Sequence, residues 1–177
     1  GEIKSRRTLD LRLALGGTVT GLSRNFVDGG QVKSGEKLVE IDDADAQSFY
    51  LKAKADIMDA KAEVEDAERA LLLSKDELEA ALKQSALRET ALSRQRDLQV
   101  RGVGTKAAVE AAELALSAAE QSVLNRRSAV DQAKARGASA GTRLIRSQLG
   151  LDDASRRLED TKLFSKFDGV LSNITLV

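Results

Sequence analysis

No proline occurs anywhere in the chain, and between Val109 and Leu158 its apolar residues advance in alternating steps of three and four. Val109, Ala112, Leu116, Ala119, Val123, Arg126, Val130, Ala133, Gly137, Ala140, Leu144, Ser147, Leu151, Ala154 and Leu158 keep that spacing through seven heptads. Such a repeat holds one narrow stripe on the same side of an α-helix, the signature of a coiled coil. One interior proline would cost a helix about 3 kcal/mol, so its absence lets long helices persist. An earlier segment carries the same rhythm, through Ile57, Ala60, Val64, Ala67, Leu71, Ser74, Leu78, Ala81 and Ser85. Each arm is about 55 residues, or roughly 80 Å at the α-helical rise per residue. Two equal arms joined by a short turn predict an antiparallel hairpin, since the ends must return together.

The seams are mostly Ala and Leu, and aromatic residues make up only 3% of the chain, which suits thin helix-to-helix contacts better than a broad core. Charged residues are 32% of the sequence, with 28 basic and 28 acidic side chains interspersed. A nucleic-acid binder needs a basic face to neutralise phosphates, so this balance argues against one. There is no His and no Cys. Nucleophile–base pairs and nitrogen or sulfur metal sites therefore lack their usual parts, and the expectation is a non-catalytic protein without metal or cofactor. The acidic clusters IDDAD and LDDAS do not have calcium-loop spacing. Asp42, Asp43 and Asp45 are expected to cap the first helix, whose positive end suits carboxylates. Met58, the lone methionine, reads as helix surface or core filler. No apolar run approaches the ~20 residues needed to span a bilayer.

Both ends of the chain read as strand. TLDLRLAL alternates Leu9, Leu11, Leu13 and Leu15 with polar or small neighbours, which predicts a leading strand. In GGTVTGLSRNFVDGGQVKSGEKLVEID, residues Val19, Leu22, Val27, Val32, Leu38 and Ile41 are expected to supply a small core, with Gly21, Gly30 and Gly35 at turns. After Thr161, KLFSKFDGVLSNITLV returns to strand through Phe164, Val170, Leu171 and Ile174, and breaks off as a piece of a longer protein would. The expected organisation is a first β segment over 1–43, a helical hairpin over 44–160 with its tip near 99–105, and a second β segment over 161–177. Each β segment alone is too short to bury a core, so the two should pair. The fold class is then α+β dominated by helix, a long antiparallel coiled-coil hairpin inserted into a split β unit. Gly137, Gly141 and Gly150 should weaken the returning arm locally, at about 1 kcal/mol each relative to Ala.

GGQVKSGEKLVEID and FDGVLSNITLV resemble the two half-motifs of a lipoyl-like (biotinyl-like) β-sandwich. No lysine occupies the EIDDADA junction, where a carrier domain would hold its modified lysine, and the helical segment stands between the halves instead. From about Gly16 to Val177 this arrangement resembles the periplasmic adaptor, or membrane fusion protein, family (HlyD-like) of tripartite exporters. Ser165 and Lys166 precede Phe167, Asp168 and Gly169 where that family commonly has Ala-Pro. The resemblance implies a lipoyl-like sandwich split by the hairpin, and a structural adaptor in the periplasm of a Gram-negative bacterium, held at the inner membrane through parts outside this chain. It implies a bridge from an inner-membrane RND-type pump to a TolC-like outer-membrane channel, with copies assembled as a trimer or hexamer. An adaptor for an ABC exporter or type I secretion system, and a plain coiled-coil scaffold, are the alternative readings.

The stretch RQRDLQVRGVGTKAAVEAAE interrupts the helical rhythm with two glycines. From the residues alone, Arg94 and Arg101 suit a helix C-terminus, Gly102 the position just past it, and Thr105 the cap of the next helix. The family's tip motif is Arg, three residues, Leu, six residues, then Ser or Thr, and Arg94, Leu98 and Thr105 match it. The resemblance therefore implies that Arg94, Leu98 and Thr105 dock on the outer-membrane channel across a turn made by Gly102 and Gly104.

Overall fold

The computed structural model describes residues 8–174. Two helices dominate it, α1 over Ala44–Val100 and α2 over Lys106–Glu159. The chain divides into two compact units, one of Gly1–Ile57 with Arg146–Val177 and one of Met58–Ile145.

In the first unit, strands from both ends of the sequence pair. β1 (Val19–Leu22), β3 (Lys37–Ile41) and β4 (Lys162–Phe164) form an antiparallel sheet in the order β1-β3-β4. β2 (Gln31–Val32) and β5 (Gly169–Val170) form a second, antiparallel two-stranded sheet. Val32 of β2 and Leu38 and Val39 of β3 share one buried cluster, against which Leu11, Leu13, Phe26, Leu163 and Leu171 pack. Backbone bonds continue the pairing beyond the strands. Gly29 N–H donates to the Leu171 carbonyl at 2.8 Å, Leu171 N–H to the Gly30 carbonyl at 2.9 Å, and Ser165 N–H to the Glu36 carbonyl at 2.9 Å. Neither sequence segment could satisfy these groups or close this core alone, which is the physical basis of the expected pairing.

Several details differ from the sequence reading. Residues 8–13 form no strand, because among the described residues no neighbouring strand accepts their backbone groups. Leu11 and Leu13 nevertheless pack against the core, while Leu9 and Leu15 are exposed. Val19, Leu22 and Val27 are exposed too. Val19 and Leu22 belong to β1, an edge strand bonded on one side only, and their burial passes to Val39 on the central strand β3. Gly21 lies within β1 beside a register shift rather than at a turn. β5 ends at Val170; Asn173 takes a positive φ of 57° and its N–H donates to Asp28 Oδ1 at 2.9 Å, so Ile174 is not in a strand. The expected continuation through Thr175–Val177 lies outside the described residues.

Lys162 ties the second half of the sequence to the start of α1. Its ammonium lies 3.5 Å from Glu40 and 3.4 Å from Asp43. The Asp43 carboxyl is held below the usual range, chiefly by a hydrogen bond from Gln47 and also by Lys162, and Asp42 Oδ1 accepts Ala44 N–H at 3.1 Å. At the other junction, buried Thr161 donates its hydroxyl to the Leu158 carbonyl at 2.6 Å, and its own carbonyl accepts Ile41 N–H at 3.0 Å.

In the second unit, three ion pairs link the arms: Glu63–Arg143 at 2.8 Å, Glu77–Arg126 at 2.8 Å and Arg96–Glu113 at 2.7 Å. As residue numbers rise along α1 their partners' numbers fall along α2, so the arms are antiparallel. Ala60, Leu92, Val109, Ala119, Val123, Val130, Ala133 and Ala140 are buried in the seams. Burying a valine such as Val123 or Val130 contributes on the order of 1.5–3 kcal/mol. Arg126 is the exception on α2: it occupies a seam position yet is exposed, its long stem carrying the charge outward to Glu77. Met58 is exposed on the helix surface. Among the described residues, no helix is long and apolar enough to cross a membrane.

Candidate functional site

At the turn between the arms the backbone is closed on itself. Gly102 has a φ of 76°, the left-handed conformation that glycine adopts without steric cost. Its N–H donates to the Gln99 carbonyl at 2.9 Å, and Val103 N–H donates to the Leu98 carbonyl at 3.1 Å. This pair of bonds is a Schellman cap, which satisfies carbonyls left open at the end of α1. Gly104 N–H adds a second bond to the Leu98 carbonyl at 2.9 Å. The loop approaches α1 so closely that a Cβ on Gly104 would lie 2.6 Å from the Gln99 nitrogen.

Thr105 opens α2. Its Oγ1 accepts Ala108 N–H at 3.2 Å and its carbonyl accepts Ala108 and Val109 N–H at 3.1 and 3.4 Å. Because the hydroxyl oxygen is used here as an acceptor, its proton stays free to be donated outward. Of the three motif residues, Leu98 takes part in the cap of α1 through its backbone carbonyl and Thr105 caps the start of α2. Arg94 is exposed, and among the described residues makes no hydrogen bond to the turn. The ion pairs at this end are Arg96–Glu113 and a long Lys106–Glu110 contact of 3.9 Å, leaving Arg94 and Arg101 without a carboxylate partner among the described residues.

The Leu98 side chain is half-buried and presents only part of its apolar surface. The exposed apolar surface belongs to Val100 and Val103, at 87% and 75% accessible, which the sequence reading did not single out. Their signal was present: both are apolar, both stand outside the heptad spacing, and both adjoin turn residues. Among the described residues no cluster of His, Cys, Asp or Glu could hold a metal ion. The chemistry on offer is non-covalent: two apolar side chains, several cationic donors and one hydroxyl.

No family model matches the chain. It is 36% identical over 160 residues, covering 85% of its own length, to the efflux pump periplasmic linker BepD of Brucella suis biovar 1 (strain 1330), and it spans 38% of that relative's length. Among solved structures it is similar to the periplasmic adaptor protein EmrA, with a TM-score of 0.42 and 17% identity over 94% of this chain and 66% of that one. It is also similar to MacA from Actinobacillus actinomycetemcomitans, with a TM-score of 0.41 and 20% identity over 98% of this chain and 44% of that one. A coiled-coil hairpin set into a β unit that both ends of the sequence build, together with the match to the periplasmic linker over most of the chain, places the protein in the membrane fusion protein, or periplasmic adaptor, family.

Proposed function

We propose that the protein is the adaptor subunit of a tripartite efflux system, working in the periplasm of a Gram-negative bacterium. Its hairpin tip docks on a TolC-like outer-membrane channel, and regions beyond this chain engage an inner-membrane transporter. The observation that carries the reading is the tip itself. Its backbone is satisfied internally by the Schellman cap and the Thr105 cap, while Val100, Val103 and the guanidinium of Arg94 are turned over to solvent at the end of two long arms. A turn serving only to reverse the chain has no use for exposed valines. Arg94 can offer paired donors to a carboxylate or to backbone carbonyls, and Thr105 a hydroxyl.

Arms of 57 and 54 residues, about eight heptads each, favour a drug-efflux adaptor with an RND-type pump over the longer hairpins of secretion systems. An ABC exporter remains the second reading for the inner-membrane partner. Several copies, as a trimer or hexamer, would present their tips together. Docking is tested by expressing full-length adaptor carrying Arg94→Asp or Leu98→Ser in cells lacking the parent and measuring drug susceptibility. Both variants should abolish export while helicity and thermal stability stay close to the parent's. Normal folding together with parental export in both would show that the tip motif does not dock.

A further inference from the structure

We infer that Val100 and Val103 are the principal apolar contact of the docking tip, received by an apolar recess with an acidic rim on a partner protein. The inference rests on the docking reading and adds to the side chains that carry it. Leu98 is half-buried and so offers less apolar surface than either valine, which are 87% and 75% accessible. The side chains of Val100 and Val103 are exposed, and the Schellman cap fixes the backbone that carries them. Apolar side chains on a backbone that needs little ordering on contact are suited to be interface anchors.

The charge around them identifies the partner's chemistry. Between positions 94 and 106 the chain carries Arg94, Arg96, Arg101 and Lys106 against a single carboxylate, Asp97. Only Arg96 is closely neutralised within the hairpin, by Glu113 at 2.7 Å. The N-terminus of α2 adds the positive end of a long helix, yet its first turn holds no acidic residue and begins with Lys106. A helix optimised for its own stability would place Asp or Glu there. The tip is therefore apolar at its apex and cationic around it, and an anionic surface with an apolar centre is its complement.

The test uses full-length adaptor and a purified TolC-like channel, with binding measured at several salt concentrations. V100S/V103S should weaken binding roughly tenfold or more, chiefly through faster dissociation, with thermal stability and salt dependence unchanged. R94Q/R101Q should slow association and flatten the salt dependence. L98M, which keeps an apolar side chain at this position, should bind as the parent does. Parental binding by V100S/V103S alongside loss of binding in R94D would overturn the assignment of the valines and leave the docking reading standing. A channel that binds all variants equally, or binds none and not the parent, would overturn both. An effect of V100S/V103S on self-association of the adaptor alone would make the occupant a second copy of this chain and refute the acidic partner.

Discussion

A methyl group on Gly104 would lie 2.6 Å from the Gln99 nitrogen and 2.9 Å from the Leu98 carbonyl carbon, both backbone atoms that cannot swing aside. Gly104→Ala must therefore open the turn, and should cost on the order of 1–3 kcal/mol. At Gly102, where a Cβ would meet nothing within 4 Å but φ is 76°, Ala should cost only about 1–2 kcal/mol. Denaturant unfolding that ranked the two in the reverse order would mean the loop is not held against α1. The β unit contains a second residue-level constraint. Glu36 accepts hydrogen bonds from Lys33 N–H at 3.0 Å and from Ser23 and Asn25 at 2.9 Å each, and these hold its carboxyl below the ordinary value of 4.5. The folded state thus prefers the ionised form, so the stabilisation is complete above pH 4.5 and is lost as pH falls through the lowered folded-state value. A carboxyl-carbon NMR titration should place the Glu36 midpoint under 4.5, and Glu36→Gln should show a shallower loss of stability in acid. A midpoint at or above 4.5 would contradict the hydrogen-bonded arrangement.

At the scale of elements, the helices were legible because a seven-residue period survives any choice of side chain that keeps the stripe apolar or small. The seam positions read from the sequence are buried or half-buried, apart from Arg126. The strands were less legible, since two- to five-residue strands are too short to show a period, and an alternating run such as Leu9–Leu15 becomes a strand only if a neighbour pairs with it. The tip residues were located by spacing, but their exposures depend on the turn's geometry, which no spacing encodes. Gly137, Gly141 and Gly150 are a further instance. α2 runs through all three, and a Cβ on any of them would meet no atom within 4 Å, so close approach of another segment does not explain them. Each Gly→Ala change should then stabilise the arm by about 1 kcal/mol. Amide exchange should be faster from Gly137 to Gly150 than from Val109 to Val130, and the triple Ala variant should remove the difference. Equal exchange in the parent would show that the glycines do not weaken the helix.

Over the whole molecule, a cut at the tip would give each half an arm of the hairpin and strands for both sheets. Fragments 1–102 and 103–177, produced together, should accordingly form a one-to-one complex held by the interarm ion pairs, the seams and the β3–β4 and β2–β5 pairings. Fragments that purify separately would show that the covalent turn is required for assembly. The same pairing determines the order in which the intact chain can fold. Ser34 bonds to Asp168, 134 positions later, and β2 and the β4-facing edge of β3 likewise gain their partners only after both arms have been synthesised, whereas β3 can pair with β1 at once. The arms near the turn meet over far shorter separations, as Arg96 and Glu113 do at 17. Contacts between near neighbours in sequence form sooner than those that must close a long loop. The hairpin should zip from its tip downward, carrying the two β segments toward each other until the β3–β4 and β2–β5 pairings close last.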